Sequence, residues 1–407
     1  MIGSFSDEGC GGGGSSLLAI SCLRGHAPDR MSCAGSRYPE SRTSFPRLLS
    51  GAARPHVPLM NEAHPMPGHG AAALPLVRVD AYNAELRDAE GFIGDRASRR
   101  AFHSILDEWR EKLRDAGDDP LGEKRTEDVG KRRLEKMLLE GDLAEAGLVV
   151  SGIEEFAQQL SAVCRKLLRL DSWQQTERIV VGGGFRGSRV GELAIARADV
   201  LLKGGGHAVD LSLVRHDPDE AGLIGSAHLV PKGMLAGHDA MLAVDIGGTN
   251  IRSGLLDVQP DRKGQLCDAK VMRSTLWRHR DDMPNRQQAV DRLVDMLRDL
   301  VAFGAKKDRK LAPFVGIGCP GLIREDGTIE RGGQNLPGNW ESPRFNLAQE
   351  IQEMMPPIDG QTVTVLMHND AVVQGLSELP WMRDVARWGV LTIGTGLGNA
   401  RFSNVPS

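Results

Sequence analysis

The chain of 407 residues contains no long apolar run, few aromatic residues and no CxxC cysteine pair. No stretch approaches the ~18 apolar residues of a membrane span, and Leu17–Ile20 is too short and poorly flanked for a signal peptide. The 4% aromatic content and the net charge of −4 argue against a nucleic-acid partner. The six scattered cysteines predict reduced thiols. We therefore expect a cytoplasmic protein without a membrane partner.

The first part of the chain divides by composition at about residue 60. Residues 1–59 are rich in glycine, serine, arginine and proline and show no hydrophobic period, which predicts a disordered leader and makes Met60 the expected natural start. Downstream, apolar residues such as Phe102, Ile105 and Leu106 recur every three to four positions. This spacing predicts helices with charged outer faces.

The segment Leu242–Arg252 is an apolar strand that runs into a carboxylate, two glycines and a hydroxyl. Gly247 and Gly248 lack a Cβ, so their backbone N–H groups can close on a phosphate, and Asp245 can hold a hydrated Mg²⁺. Thr249 adds a hydroxyl donor. A second strand follows, so the alternative is a β-hairpin turn in which the glycines only reverse the chain.

A second glycine-rich segment, Gly182–Gly187, lies between a short strand and a helix and satisfies G-x-G-x-x-G. A dinucleotide site would also need an acidic residue ~20 positions on, at the end of the next strand. Asp210 is at about that distance but sits inside an apolar run. The alternatives are a glycine-lined wall for a nucleotide base and ribose, or a plain strand-to-helix turn.

Polar residues follow three further strands. Asn335 offers a donor and an acceptor that suit a sugar hydroxyl, although ordinary turn chemistry also explains it. Asp370 follows His368 and Asn369 at the end of a buried strand and precedes a helix, so its carboxylate is a general base or a helix cap. The last strand enters Gly394–Ala400, another turn with exposed backbone donors.

Together these elements resemble the ROK family of sugar kinases and repressors, within the actin-like ATPase superfamily. The matching motifs cover about 165 residues. They are D-x-G-G-T-N-x-R at 245–252, N-L-P-G from 335, N-D-A with a glutamate eight residues after the aspartate at 369–378, and G-T-G-x-G at 394–398. The resemblance implies an α/β, two-lobed actin-like ATPase (ribonuclease H-like) fold with an N-terminal helical extension.

Residues 178–184 and 221–227 look like the adenosine-binding end of the same family, which normally lies C-terminal. Here they precede the first phosphate motif, so the chain looks circularly permuted, with the break just after the second phosphate turn. The domain prediction is a leader (1–59), a helical extension (60–150), the adenosine-binding part of the second lobe (151–240), and a phosphate- and sugar-binding lobe (241–407).

The resemblance implies ATP-dependent phosphorylation of a hexose hydroxyl, with sugar, ATP and Mg²⁺ as partners. Asp370 would accept the hydroxyl proton, Asn335 and Asn369 would orient the sugar, and Asp245 would hold Mg²⁺ through water. The glycine turns would bind the nucleotide: Gly247, Gly248, Thr249, Gly394, Thr395 and Gly396 would cradle the phosphates, and Gly183 and Gly184 would line the adenosine side.

Two features typical of the family are missing. The C-x-C-G-x-x-G-C-x-E zinc motif is absent, and so is the G-E-x-G-H segment whose Glu and His contact the sugar. Glu62, His64 and His69 fall where that segment would sit after permutation. The alternative function is a non-catalytic, sugar-responsive transcriptional regulator of the same family, and the sequence leaves a homodimer open.

Overall fold

A computed structural model describes residues 68–89, 91–258 and 266–405, and all of them belong to one compact unit. The strands are β1 (Val77–Tyr82), β2 (Arg87–Asp88), β3 (Gly91–Phe92), β4 (Arg178–Gly182), β5 (Asp210–Leu213), β6 (Ala240–Ile246), β7 (Ile251–Asp257), β8 (Lys270–Trp277), β9 (Leu311–Cys319), β10 (Leu322–Ile323), β11 (Ile329–Arg331), β12 (Thr364–Asn369), β13 (Arg387–Ile393) and β14 (Leu397–Asn404). The helices are α1 (Arg99–Asp115), α2 (Lys131–Glu140), α3 (Leu143–Leu167), α4 (Arg189–Gly204), α5 (Ala221–Ser226), α6 (His279–Asp282), α7 (Arg286–Lys306), α8 (Leu347–Met354) and α9 (Asp370–Leu376). Within the described ranges, no helix has the length and apolarity to cross a bilayer.

The first large sheet has the strand order β8-β7-β6-β9-β12. Its central strand, β6, is antiparallel to β7 and parallel to β9, while the outer pairs are antiparallel for β7 with β8 and parallel for β9 with β12. Along the chain, these strands come in the order β6, β7, β8, β9 and β12. β6 is buried almost throughout, as expected for a central strand covered on both faces.

The second large sheet repeats this pattern with the order β1-β14-β13-β4-β5. Its central strand, β13, is antiparallel to β14 and parallel to β4, and the outer pairs again match those of the first sheet. The order along the chain differs, because β13 and β14 come last and β1, β4 and β5 come first. The chain thus enters this sheet at the strand that corresponds to β8.

The helices that connect the strands repeat as well. α7 and α8 follow β8 and β9 in the first half, and α3 and α4 follow β1 and β4 in the second. α9 and α5, each after the last strand of its sheet, pack on each other between the two sheets. This contact is close, because a Cβ at Gly225 would overlap the Val373 carbonyl oxygen.

Alternate residues of the central strands define the layers. Ile179 and Val181 of β4 pack in a core with α1, α3 and α4, whereas Val180 faces the core between the two sheets. In β6, Met241 faces that same middle core and Leu242 faces the helices of the first half. The molecule is therefore a stack of helices, sheet, helices, sheet and helices, and the predicted two-lobed α/β class is confirmed.

The predicted helical extension, residues 60–150, differs from the structure in two ways. It contains α1 and α2, but its first described strand is β1, which belongs to the second sheet. Its boundary at residue 150 lies inside α3. β1 is missing from the predicted helical extension because its partner, β14, lies more than 300 residues away. The predicted leader (1–59), Met60, Glu62 and His64 lie outside the described residues.

Candidate functional site

The first glycine turn joins β6 to β7 as a tight hairpin. Asp245 pairs with Arg252 across the two strands, and the Gly247 N–H donates to the Asn250 carbonyl oxygen at 2.8 Å. The Nε2 atom of His279, in α6, lies 3.0 Å from the Gly247 carbonyl oxygen. The hairpin interpretation thus describes the backbone, and a phosphate role depends on what the turn leaves exposed.

The fold itself does not require glycine at three turn positions. None of Gly247, Gly394 and Gly396 has a left-handed φ. A Cβ added at Gly247 would lie 3.5 Å from the Asn250 carbonyl oxygen, and one added at Gly394 would lie 3.9 Å from the nearest atom. A Cβ added at Gly396 would have no neighbour within 4 Å. The missing side chains therefore leave space beside both turns, whereas the Gly247 and Gly394 N–H groups themselves donate within their turns, to the Asn250 and Gly396 carbonyl oxygens at 2.8 and 2.9 Å.

The second glycine turn, Gly394–Gly396, joins β13 to β14 in the same position that the first turn has in its sheet. The Arg99 N–H, at the start of α1, donates to the Gly394 carbonyl oxygen at 3.0 Å. Gly183 lies directly beside this turn with a φ of +84°, and a Cβ there would lie 2.5 Å from the Ile393 carbonyl oxygen. The structure thus brings the Gly182–Gly184 turn against the second phosphate turn.

Asp210, the acidic residue considered for a dinucleotide site, does not lie near the Gly182–Gly187 turn. Asp210 pairs with Arg178 in register at the beginning of β5, whereas the glycine turn follows the end of the parallel strand β4. Its carboxylate lies 3.0 Å from the Lys203 ammonium. Asp210 is therefore at the opposite end of the sheet from the Gly182–Gly184 turn.

Asp370 begins α9, but its neighbour supplies the helix cap. The Asn369 side-chain oxygen accepts from the N–H groups of Ala371 and Val372 at 3.0 and 3.3 Å, and its amide donates to the Gly321 carbonyl oxygen at 3.0 Å. Asn369 is 2% exposed. The side chain of Asn369 therefore caps α9 in place of Asp370, and both its oxygen and its nitrogen are engaged by these backbone contacts.

Asn335 lies on an exposed loop against the first glycine turn. A Cβ at Gly248 would lie 3.0 Å from the Asn335 Cβ and 3.7 Å from its side-chain nitrogen. Because β9 pairs with both β6 and β12, the ends of those two strands bring Asp245 and Asp370 to one edge of the first sheet. The structure thus brings three of the predicted residues, Asp245, Asn335 and Asp370, to the edge of the first sheet that carries the first glycine turn.

The carboxylates of this cleft influence one another. Burial, together with the nearby Asp245 carboxylate, raises the pKa of Asp370 to about 6. Burial also raises the pKa of Asp245, although the Arg252 guanidinium opposes that effect. Asp370 is consequently poised to exchange a proton near neutral pH, as a general base requires.

Glu378, eight residues after Asp370, lies just beyond the far end of α9. Its carboxylate accepts the Arg215 backbone N–H at 2.7 Å and is 1% exposed, and burial raises its pKa to about 7. Glu378 therefore connects α9 to the segment that follows β5, away from the phosphate turns.

Sequence reasoning missed the residues that reach Asp245 from the other half. A Cβ at Gly222 in α5 would lie 2.6 Å from the Asp245 carboxylate carbon. Arg252 lies 3.6 Å from the Asp245 carboxylate and 2.7 Å from Asp219, which precedes α5. Arg252 was part of the recognised motif, but nothing in the sequence linked it to Asp219.

A pocket of about 110 Å³ opens beside the Gly182–Gly184 turn, where α1, α2 and α4 begin. Lys131 donates from its ammonium to the Gly184 carbonyl oxygen. The floor is apolar and the rim is polar. The lining residues are Arg99, Phe102, His103, Glu127, Val129, Gly130, Lys131, Leu134, Phe185, Ser188 and Val190.

His69 is one of the residues that fall where the missing sugar-binding segment would sit. It lies beside β12. The His69 Nδ1 accepts the Met367 N–H at 3.1 Å, and the His69 N–H donates to the Glu325 carbonyl oxygen at 3.2 Å. Further on, the His368 Nε2 lies 3.2 Å from the Ala71 carbonyl oxygen. His69 is thus engaged by the edge of the sheet, next to the strand that delivers Asp370.

Comparison with known proteins identifies the family of the second part of the chain. Residues 241–405 match the model of the ROK family, so the predicted family is confirmed for this segment. The two sheets of matching strand order agree with the two-lobed actin-like ATPase fold that this family implies. No curated protein matches the chain.

Solved structures similar to the chain include a Cytophaga hutchinsonii protein named as a sugar kinase, at 21% identity over 40% of this chain and 48% of that one, with a TM-score of 0.31. A Streptomyces griseus ROK glucokinase in complex with glucose and AMPPNP has 21% identity over 39% and 43%, with a TM-score of 0.28. A Thermus thermophilus ROK hexokinase has 19% identity over 39% and 45%, with a TM-score of 0.26. The chain spans about half the length of these structures, and the likeness carries no argument about its reaction.

Proposed function

We propose that the protein is an ATP-dependent sugar kinase that transfers the γ-phosphate to a hexose hydroxyl in the cytoplasm. The observation that carries this proposal is the pair of equivalent hairpin turns with glycines at 247, 394 and 396 that no internal contact requires. Turns at equivalent places in the two sheets, each with space beside its backbone, suit the phosphates of a nucleotide. The match of residues 241–405 to the ROK family supports the same chemistry.

The acidic residues of the cleft fit a magnesium ion that is bound mainly by phosphate and water. In the described ranges, no cluster of three or more acidic, histidine or cysteine side chains forms a metal cage. Asp245 alone, with 19% of its side chain exposed, is sufficient for Mg²⁺, which usually binds one or two carboxylates and substrate phosphates. Bound there, Mg²⁺ would neutralise charge on the phosphates.

In the proposed mechanism, the chain positions the sugar and moves one proton. Asp370 accepts the proton of the attacking hydroxyl, which its raised pKa of about 6 allows. Asn335, exposed beside the first turn, orients the sugar, and Asn369 shapes this wall of the site by fixing the start of α9. Thr249 and Thr395 add hydroxyl donors to the phosphate turns. Positioning and charge stabilisation then supply most of the rate.

We further propose that Gly183 and Gly184 form the adenosine side and that the adjacent pocket receives the base. The apolar floor from Phe102 and Phe185 can contact a ring, while the polar rim offers hydrogen-bond partners. Val190→Phe would fill this pocket, and we expect weaker ATP binding with little change in the binding of sugar alone.

The test is a coupled kinase assay on a panel of hexoses with ATP and Mg²⁺, together with calorimetric titration of the protein with AMPPNP. Phosphorylation of a sugar by the wild type and its loss in Asp370→Ala would support the proposal. Nucleotide binding without turnover on the whole panel would contradict the kinase, and a gel-shift signal that weakens with sugar would favour the non-catalytic regulator.

The order of strands along the chain also supports circular permutation, which we propose as the origin of this arrangement. The Val405 N–H lies 3.4 Å from the Leu76 carbonyl oxygen, so the two segments that permutation separates meet next to the β1 and β14 pair. On this proposal, residues 151–240 supply part of the second lobe, and residues 241–407 supply the first lobe together with β13 and β14 of the second, whose sheet β1 completes.

A further inference from the structure

Arg252 stands between carboxylates from the two halves of the molecule. It lies on β7 of the first sheet, immediately after the first phosphate turn, and only 12% of its side chain is exposed. One guanidinium nitrogen lies 2.7 Å from the Asp219 carboxylate, which belongs to the segment between β5 and α5. A second nitrogen lies 3.6 Å from the Asp245 carboxylate.

The two distances are chemically different. At 2.7 Å, Arg252 donates a charge-assisted hydrogen bond to Asp219, whereas 3.6 Å is too long for a hydrogen bond to Asp245. The guanidinium therefore attracts the Asp245 carboxylate without occupying its lone pairs. Gly222 of α5 lies against the same carboxylate, because a Cβ there would be 2.6 Å from the Asp245 carboxylate carbon.

We propose that Asp219 is a positioning residue that holds Arg252 off Asp245 and so keeps that carboxylate open to the magnesium ion of the nucleotide. The inference rests on the proposed nucleotide site and extends it to a residue of the opposite half. Without Asp219, Arg252 has one carboxylate partner and moves into hydrogen-bonding distance of Asp245. Arginine then competes with Mg²⁺ for the same oxygens.

The test is calorimetric titration of the whole protein with AMPPNP over a series of Mg²⁺ concentrations, for Asp219→Asn, Arg252→Gln and the double variant. We expect Asp219→Asn to raise the Mg²⁺ concentration for half-maximal nucleotide binding about two- to fivefold, the scale of a partly exposed ion pair. Arg252→Gln removes the competitor, so this concentration should not rise. The double variant should behave as Arg252→Gln does.

Glu220→Gln is the matched control, since it removes one negative charge from the residue next to Asp219 and the residue forms no ion pair with Arg252. An unchanged Mg²⁺ requirement in Asp219→Asn would overturn the inference, and so would an equal rise in Arg252→Gln or in the control. Failure of the wild type to bind AMPPNP at any Mg²⁺ concentration would instead overturn the proposed function. Thermal melting of each variant without ligand shows that the fold is retained.

Discussion

Replacing Gly394 by alanine separates the requirements of the fold from those of the site. Gly394 has no left-handed φ, and the nearest atom to an added Cβ, the Gly396 carbonyl oxygen, lies 3.9 Å away. The methyl group therefore meets ordinary contact distances within the protein. It projects from the turn whose backbone N–H groups we assign to the phosphates.

The two expected effects have opposite signs. A Gly→Ala change at a compatible position stabilises by about 0.4–1 kcal/mol, because it reduces the freedom of the unfolded chain. The Tm should thus stay level or rise by at most about 4 °C. Displacing a phosphate from one or two backbone donors costs about 1.5–3 kcal/mol, the worth of a hydrogen bond to a charged group, or roughly ten- to a hundredfold in affinity.

Gly183→Ala provides the contrast. Its φ of +84° and the Ile393 backbone at 2.5 Å from an added Cβ make alanine incompatible with the fold, so this variant should lose more than about 1 kcal/mol of stability. Differential scanning calorimetry measures both Tm values, and AMPPNP titration measures the affinity. Wild-type affinity in Gly394→Ala would refute the phosphate role of the second turn, whatever the result for Gly183→Ala.

Asp370 and the order of the chain give four other predictions. Asp370→Asn should reduce kcat by about a hundredfold or more with sugar binding largely retained; full activity in a coupled assay would remove Asp370 from the mechanism. Because burial raises the Asp370 pKa to about 6, wild-type kcat/KM should rise with pH through about 6, and a flat profile would contradict the general base. The same shift has a stability cost: the folded state binds the Asp370 proton more tightly than the unfolded chain, so its stabilising contribution is complete below the ordinary aspartate pKa and lost as pH rises through about 6. Asp370→Asn should therefore melt higher than the wild type at pH 8, and equal Tm values there would count against the buried carboxylate. Finally, a reordered chain that begins near residue 234 and joins Val405 to Gly68 through a flexible linker of about eight residues should fold to the same structure, as circular dichroism and melting can show; an unfolded product would contradict permutation.

The local parts of this fold were predictable because their signals lie within one strand or helix. The short strand expected before Gly182–Gly187 is β4, and the helix expected after it is α4. The first glycine turn was also identified, with its hairpin partner, from ten consecutive residues. In each case the hydrophobic period or the turn residues are sufficient to define the element.

Other features depend on contacts that local sequence cannot show. Val77 and Val79 of β1 alternate as a strand should, yet the partner of this short segment is β14, at the other end of the chain. The sequence offered Asp370 as helix cap or base, and the choice required seeing the Asn369 oxygen on the N–H groups of α9. Asp219 carried no signal at all, because its importance comes from a 2.7 Å contact across the cleft.

The internal repeat explains why the order of the chain can change without disturbing the cleft. Both phosphate turns are hairpins between the first two strands of a sheet, β6 with β7 and β13 with β14, and each remains one continuous segment. In the second sheet, β14 starts at the cleft with Leu397 and ends at Asn404, which pairs with Val77 at the beginning of β1. On the proposed permutation, the lost connection would lie at this end of the sheet, away from the glycine turns. A break between β13 and β14 would instead have cut through Gly394–Gly396 and left the second set of backbone donors without a fixed geometry.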